Sequence, residues 1–339
     1  NRLLKIQKKT HRNKLMKICI LDWTTVTSGD ISSDIFREFG EIKCYELTDN
    51  EHAAEYIGDA DMVLCNKVLI TDDVIKKCPN LKYIGLFATG YNNIDLKSAS
   101  EHGITVCNAG SYSTDAVAQQ TFAYILDHYS RISQYDKFVK NDGWINSKTF
   151  SKFPIKTMEL SGKTISIIGF GSIGKAVAKI ADAFGMKVLV NTRTAPVNCP
   201  YETVSLKNAF KRADILTVHC PLTEQTAGII NAENLSLMKC NAIVINTARG
   251  GIVKEQELAD ALNSGRISAA YLDVLVNEPM SPETPLKTAK NCVITPHTAW
   301  APLETRLRLI NIVCSNIKAF LNGSPVNKVI RPRKDQTYV

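Results

Sequence analysis

Short apolar runs alternate with amphipathic stretches along almost the whole of this 339-residue chain, and few folds accept that pattern. Strand, helix and strand in repeating order build parallel sheets with helices packed on both faces. Strands are expected at 16–21, 42–46, 61–65, 83–87 and 104–107, with helices between them such as Asp34–Phe39 and Asp49–Ile57. A long helical pattern follows from Thr114 to Lys140, and then a polar loop to Lys156. A second series opens at Lys163, with strands near 164–169, 187–190, 214–218, 242–246, 268–272 and 292–295. The last helix, Pro302–Leu321, stops at the breaker sequence Asn322-Gly323-Ser324-Pro325. An α/β chain of two domains is expected, a number its length also supports.

One segment of the second series carries chemistry. Residues 163–174 read Lys-Thr-Ile-Ser-Ile-Ile-Gly-Phe-Gly-Ser-Ile-Gly, then a helical run, Lys175–Phe184, and a strand at Val188–Val190. In that strand–turn–helix–strand frame Gly169 makes the tight turn, Gly171 lets backbone approach a pyrophosphate, and Gly174 lets helix and strand pack closely. The helix N-terminus offers N–H groups and positive dipole to phosphate. A dinucleotide is the expected ligand; a glycine-rich turn that binds nothing is the alternative. An acid after the second strand would accept from the ribose 2′-hydroxyl of NAD. Here the strand runs into Asn191-Thr192-Arg193-Thr194, with no acid. A guanidinium beside two hydroxyls suits a 2′-phosphate; otherwise Arg193 is a solvated loop cation. The expected cofactor is NAD(P), leaning to NADP.

Three further segments lie at the C-terminal ends of strands in this series, where open α/β sheets place their ligands. They are Val244-Ile-Asn-Thr-Ala-Arg249-Gly-Gly, Tyr271-Leu-Asp273-Val-Leu-Val-Asn-Glu278-Pro and Ile294-Thr-Pro-His297-Thr-Ala-Trp300. Together they offer a fixed cation, two carboxylates and an imidazole. Reduction of a carbonyl needs an acid for the oxygen, and histidine titrates near working pH. A neighbouring carboxylate would orient its ring, and an arginine can grip a substrate carboxylate in bidentate fashion. Each residue also has a structural alternative: Arg249 as a helix cap, Asp273 as a turn cap, Glu278 as a solvated loop acid, His297 as a surface histidine. His219 also ends a strand, but no acid follows it closely, and it reads as structural or cofactor-adjacent.

Net charge invites a polyanion partner that its distribution does not support. The chain has 41 Lys+Arg against 33 Asp+Glu, a formal +8. Residues 1–15 hold six cations and no acid, and residues 328–339 hold four cations and one acid. That leaves 31 cations and 32 anions for residues 16–327. Residues 1–15 are expected to be a basic extension and 328–339 a basic tail, with folded structure starting at Met16. The basic start lacks the apolar stretch of a secretory signal, and no window approaches a membrane span. Ten scattered cysteines, without paired spacing, are expected to be reduced thiols in a cytoplasmic protein. Cys19, Cys44, Cys65, Cys107, Cys220 and Cys292 sit in or beside apolar runs, where a thiol behaves as a small hydrophobe. No metal site, nucleic acid or membrane is expected.

The blocks Gly169–Gly174, Asn246-Thr-Ala-Arg-Gly-Gly, Leu272-Asp-Val with Asn277-Glu-Pro, and Thr295-Pro-His with Ala299-Trp300, in this order, resemble the D-isomer-specific 2-hydroxyacid dehydrogenases, above all their glycerate dehydrogenase/hydroxypyruvate reductase branch. The early Leu86-Phe-Ala-Thr-Gly-Tyr-Asn-Asn-Ile-Asp95 looks like the family's substrate loop. The resemblance covers residues 16–327. It implies a Rossmann dinucleotide domain (114–301) inserted into a discontinuous, flavodoxin-like substrate domain (16–113 and 302–327). It also implies His297 as acid/base, Glu278 as its partner, Arg249 as carboxylate anchor, and Thr89, Gly90 and Trp300 around the substrate. For the cofactor it implies Thr114, Gly169, Gly171, Ser172, Ile173, Gly174, Thr192, Arg193, Pro221, Thr247, Ala248 and Asp273. The reaction implied is hydride transfer between NAD(P)H and C2 of a small 2-keto or D-2-hydroxy acid, hydroxypyruvate or glyoxylate first. The helix after Thr114 looks like the family's dimer element, so a homodimer is expected. A cofactor-sensing protein on the same fold, like the family's transcriptional corepressors, is the alternative.

Overall fold

A computed structural model describes residues 15–194 and 197–329. The expected extension (1–15) and tail (328–339) thus lie almost wholly outside the described residues. In chain order the elements are β1 (Met16–Ile20), β2 (Gly40–Cys44), α1 (Ala53–Ile57), β3 (Met62–Cys65), α2 (Asp72–Lys77), β4 (Tyr83–Leu86), α3 (Leu96–Glu101) and β5 (Thr105–Cys107). There follow α4 (Thr114–Ser130), α5 (Ile132–Lys140), β6 (Thr164–Ile168), α6 (Ser172–Ala183), β7 (Lys187–Asn191), β8 (Glu202–Thr203), α7 (Leu206–Arg212) and β9 (Ile215–Val218). The chain continues with α8 (Ala232–Ser236), β10 (Ile243–Asn246), α9 (Glu255–Asn263), β11 (Ala269–Leu272), β12 (Cys292–Ile294) and α10 (Leu303–Leu321).

Two compact units result. Among the described residues, one runs up to Tyr112 and resumes at Arg306, and the other spans Ser113–Thr305. The first holds a five-stranded sheet in the order β2-β1-β3-β4-β5, every pairing parallel. That is the flavodoxin-like order. The second holds seven parallel strands in the order β12-β11-β10-β9-β6-β7-β8, a doubly wound sheet that changes direction at β6/β9. The expected fold class is borne out. Its physical basis is plain in β3, β4, β9, β10 and β11, where every residue is buried, as a sheet covered on both faces requires. Helix α6 buries Gly174, Val177, Ala178 and Ala181, the i, i+3, i+4, i+7 stripe of a helix with one face on a core.

The return of the C-terminal segment to the first unit rests on specific contacts. Leu309, Ile310, Val313 and Ile317 of α10 are buried. Arg306 pairs with Asp30 through two 2.7 Å hydrogen bonds, and Arg308 donates to the carbonyl of Tyr112 at 2.8 Å. Asn316 donates to the carbonyl of Asn108, and the Asn327 amide donates to Asn316.

Several expectations need correction. The single helix over 114–140 is two helices, because Arg131 adopts the left-handed conformation (φ 55°, ψ 34°) and its amide closes α4 on the Asp127 carbonyl. Neither Gly nor Pro announces that break. Helix α5 buries no residue of its own, so its apolar positions do not belong to this unit's core. The helices expected at Asp34–Phe39 and Asp49–Ile57 are a 3₁₀ turn at Ser33–Glu38 and a 3₁₀ turn leading into the short α1. Strand β8 was not anticipated; two exposed residues on a sheet edge leave no periodic signal. Lys328 and Val329, placed in the tail, lie against β5: Lys328 bridges Cys107, and the Val329 amide donates to Val106 at 2.8 Å. Cys44 is exposed, while Cys19, Cys65 and Cys107 are buried as expected. No helix among the described residues is long and apolar enough to cross a membrane.

Candidate active site

The glycine turn has the form its spacing predicts. Gly169 ends β6 with φ +94°, and a side chain there would meet the backbone of His219 and Cys220 at 2.6 Å. A Cβ on Gly174 would lie 2.2 Å from the Gly169 carbonyl oxygen. Gly171 differs: a Cβ there would meet nothing within 4 Å. It is also the N-cap of α6 and so offers no side chain to that helix's first turn. Two glycines are thus demanded by packing, while the third leaves the backbone open beside a helix N-terminus. This is the arrangement a pyrophosphate fits. Ser172 and Ile173 form the first turn of α6. At the end of β7, Asn191 donates to the Val204 carbonyl, Thr192 to the Thr194 carbonyl, and Arg193 is exposed. Among the described residues Arg193 has no carboxylate partner. His219, beyond β9, packs against this turn. Desolvation pushes its imidazole down to about 3, and its ring nitrogens face the hydroxyls of Thr217 (2.9 Å) and Thr247 (3.5 Å). It is a neutral strut between two loops. Pro221 follows it, and its carbonyl accepts from Thr226.

Strand β10 delivers Arg249 through a built turn. The buried Asn246 accepts from the Ala248 amide at 3.0 Å and donates to the Arg249 carbonyl at 2.8 Å, which shapes Thr247–Arg249. Arg249 itself is exposed, its guanidinium anchored on the Ala248 carbonyl at 2.7 Å. The next residue must be glycine, because a Cβ on Gly250 would lie 1.9 Å from the carbonyl of Leu275. That contact presses the Arg249 turn against the loop that carries Glu278. Glu255 then staples that loop, accepting from the Val276 amide and the Thr284 hydroxyl, both at 2.8 Å.

His297 and Glu278 come together. His297 Nδ1 lies 2.6 Å from Glu278 Oε2, and Glu278 Oε1 accepts from the Leu275 amide at 3.1 Å. Their side chains are 28% and 36% exposed, so the pair is fixed yet reachable. His297 has φ 55°, a left-handed conformation that costs a non-glycine residue about 1 kcal/mol or more. Its amide donates to the carbonyls of Asp273 (2.8 Å) and Thr295 (2.9 Å). The Asp273 carboxylate, 2% exposed, accepts from the Thr295 hydroxyl and from the amides of Thr298 and Ala299. Expected as a cofactor contact, Asp273 also anchors the histidine loop. Trp300, half-buried, ends that loop, and Thr114 opens α4.

Thr89 and Gly90 belong to the first unit, after β4. Thr89 donates to the Gly110 carbonyl and accepts from Asn108 at 2.7 Å, which pins the loop Leu86–Asp95. Asp95 ends the loop by capping α3.

A profile of the D-isomer-specific 2-hydroxyacid dehydrogenase NAD-binding domain matches residues 122–299. The hydroxypyruvate reductase of Blautia hydrogenotrophica is 42% identical over 93% of this chain and 99% of its own length. The chain belongs to the D-isomer-specific 2-hydroxyacid dehydrogenases. The glycerate dehydrogenase of Methylorubrum extorquens is 38% identical, over 86% of this chain and 94% of the relative. Among solved structures, the NADPH-dependent glyoxylate/hydroxypyruvate reductase of Sinorhizobium meliloti in complex with citrate superposes with a TM-score of 0.78 at 27% identity, covering 93% of this chain and 97% of that one. As a D-2-hydroxyacid dehydrogenase the chain is an NAD(P)-dependent oxidoreductase that moves a hydride between the dinucleotide and a 2-keto or 2-hydroxy acid.

Two groups escaped the sequence reading of this D-2-hydroxyacid dehydrogenase. Asn246 organises the arginine turn, and a polar residue closing an otherwise apolar strand was a usable signal. Glu255 staples the Glu278 loop from 21 residues upstream of Val276, and nothing in the local sequence marks it.

Proposed function

We propose that this dehydrogenase reduces hydroxypyruvate or glyoxylate to D-glycerate or glycolate. The observation that carries the reading is the 2.6 Å His297–Glu278 pair, on a loop neighbouring the Arg249 turn. Glu278 holds Nδ1 and fixes the ring, which leaves Nε2 to give a proton to the C2 oxygen in reduction and to take it back in oxidation. Arg249 grips the substrate carboxylate and polarises the adjacent carbonyl. Thr89, Gly90 and Trp300 are proposed as further substrate contacts. When bound, NAD(P)H supplies the hydride that C2 receives. Gly169, Gly171, Ser172, Ile173 and Gly174 would hold its pyrophosphate, and Thr192 and Arg193 its adenosine ribose. Thr114, Pro221, Thr247, Ala248 and Asp273 would border its nicotinamide end. In this reading 114–301 is the dinucleotide domain, and 16–113 with 302–327 the substrate domain.

NADPH is the proposed reductant. Support comes from the exposed Arg193, from the lack of an acid after β7, and from the NADPH-dependent relative. Kinetic constants for NADH and NADPH with hydroxypyruvate, glyoxylate, pyruvate and phosphohydroxypyruvate test both parts. Hydroxypyruvate should have the highest kcat/KM; preference for phosphohydroxypyruvate would sink the substrate assignment. Arg193→Ala should raise KM for NADPH about tenfold and leave NADH within about twofold, since one charge-assisted phosphate contact is lost. Equal effects on both cofactors would remove Arg193 from the 2′-phosphate.

A homodimer is proposed from the segment 132–153, where Ile132, Ile145, Phe150 and Phe153 are 71–92% exposed. Apolar side chains at that density mark a surface meant for covering. Sedimentation should return twice the chain mass, and Ile145→Asp with Phe150→Asp should halve it; a wild-type monomer at micromolar concentration would refute the assignment. Ten unpaired cysteines support a cytoplasmic location.

A further inference from the structure

Helix α4 reaches the histidine loop through a line of hydroxyls. The Tyr124 phenol is hydrogen-bonded to Thr295 Oγ1, and Thr295 Oγ1 donates to Asp273 Oδ1 at 2.5 Å. Direction follows from proton counting. A carboxylate only accepts, so the single Thr295 hydroxyl proton goes to Asp273, and Tyr124 must be the donor to Thr295. Burial raises the Tyr124 phenol above its ordinary value, so it keeps that proton. The ring is 4% exposed and packs on Tyr271 at 5.4 Å between centroids. Tyr271 is in turn held by its hydroxyl on Asp127 at 3.0 Å.

Everything downstream of this line belongs to the loop that presents His297. The Asp273 carboxylate also takes the amides of Thr298 and Ala299, and its carbonyl takes the His297 amide. His297 sits in a left-handed conformation that its neighbours must enforce. Chained hydroxyl donors strengthen one another in a dry interior and disperse the charge of the carboxylate at their end. We propose that Tyr124 and Thr295 are positioning residues for the hydride-transfer reaction, a two-hydroxyl relay from α4 that sets Asp273 and, through it, the backbone and field at His297. The inference rests on His297 being the acid/base. The charged and titratable groups around the relay are Asp273, Glu278 at the Nδ1 edge of the imidazole, Tyr271 against the Tyr124 ring, Asp127 with His128 on α4, the last kept neutral by burial, and Arg131 just after them.

The test compares Tyr124→Phe, Thr295→Val, Thr295→Ser and His297→Ala in the full-length enzyme, with NADPH affinity read by fluorescence. Loss of one relay hydrogen bond should lower kcat about fivefold in Tyr124→Phe and about thirtyfold in Thr295→Val. KM and NADPH affinity should stay within about twofold, and Thr295→Ser, which restores the hydroxyl, should return kcat to within about twofold of wild type. Wild-type kcat in Tyr124→Phe overturns the relay, and so does equal loss in the serine and valine variants. If His297→Ala retains turnover, the acid/base assignment fails instead, and the relay with it. Should Thr295→Val not fold, Tyr124→Phe and Thr295→Ser decide.

Discussion

His297→Ala should lower kcat by about a thousandfold while NADPH affinity changes less than about twofold, because a positioned general acid contributes about 10²–10⁴ to rate. The histidine lies beyond β12, apart from the glycine turn of β6 and α6, so its removal leaves the backbone of that turn intact. Glu278→Gln should cost less than the histidine, since glutamine can still accept at 2.6 Å from Nδ1 but no longer stabilises imidazolium. Steady-state rates with hydroxypyruvate, paired with fluorescence titration of NADPH, separate the two quantities. Near-normal turnover in the alanine variant would remove His297 as the proton donor.

Gly250→Ala should unfold the site although it removes no polar side chain. Its Cβ would stand 1.9 Å from both the carbon and oxygen of the Leu275 carbonyl and 2.4 Å from the Val276 nitrogen. No flexible side chain is available to yield. The Arg249 turn or the Glu278 loop must move, and overpacking of this kind costs about 1–3 kcal/mol or more. Thermal unfolding should come several degrees lower, with kcat/KM falling at least about a hundredfold as Arg249 and Glu278 lose register. An alanine variant with wild-type melting temperature and kinetics would show that the backbones do not approach as described. Gly171→Ala gives the contrast, since its Cβ would meet no protein atom within 4 Å. That variant should fold normally and lose affinity for NADPH and NADH alike.

Much of the site was legible because its parts obey local rules. The glycine turn could be read from spacing, since Gly169 and Gly174 sit where any side chain would strike backbone at 2.6 and 2.2 Å. Arg249 could be read from the glycines behind it, and the sheets from buried runs such as Ile215–Val218. What could not be read either carries no local signal or depends on partners distant in the chain. Arg131 breaks a helix at a residue with no breaker chemistry. Asp273 could be read as a strand-end carboxylate, but not that its oxygens hold Thr295, Thr298 and Ala299. His297 carries no sequence sign of its left-handed backbone.

The sequence by itself determined the chemistry on offer and the strand ends on which it sits: the glycine turn after β6, Arg249 after β10, Asp273 after β11 and His297 after β12. Side-chain periodicity and the steric demands of glycine act within a few residues, so they survive in one dimension. Tertiary structure alone decided the pairings: His297 with Glu278 across 19 residues, Gly250 against Leu275, and Tyr124 with Thr295 across 171. Those contacts are set by how parallel strands and their loops stack, and hydrogen bonds between such distant residues exist only once the sheet has formed.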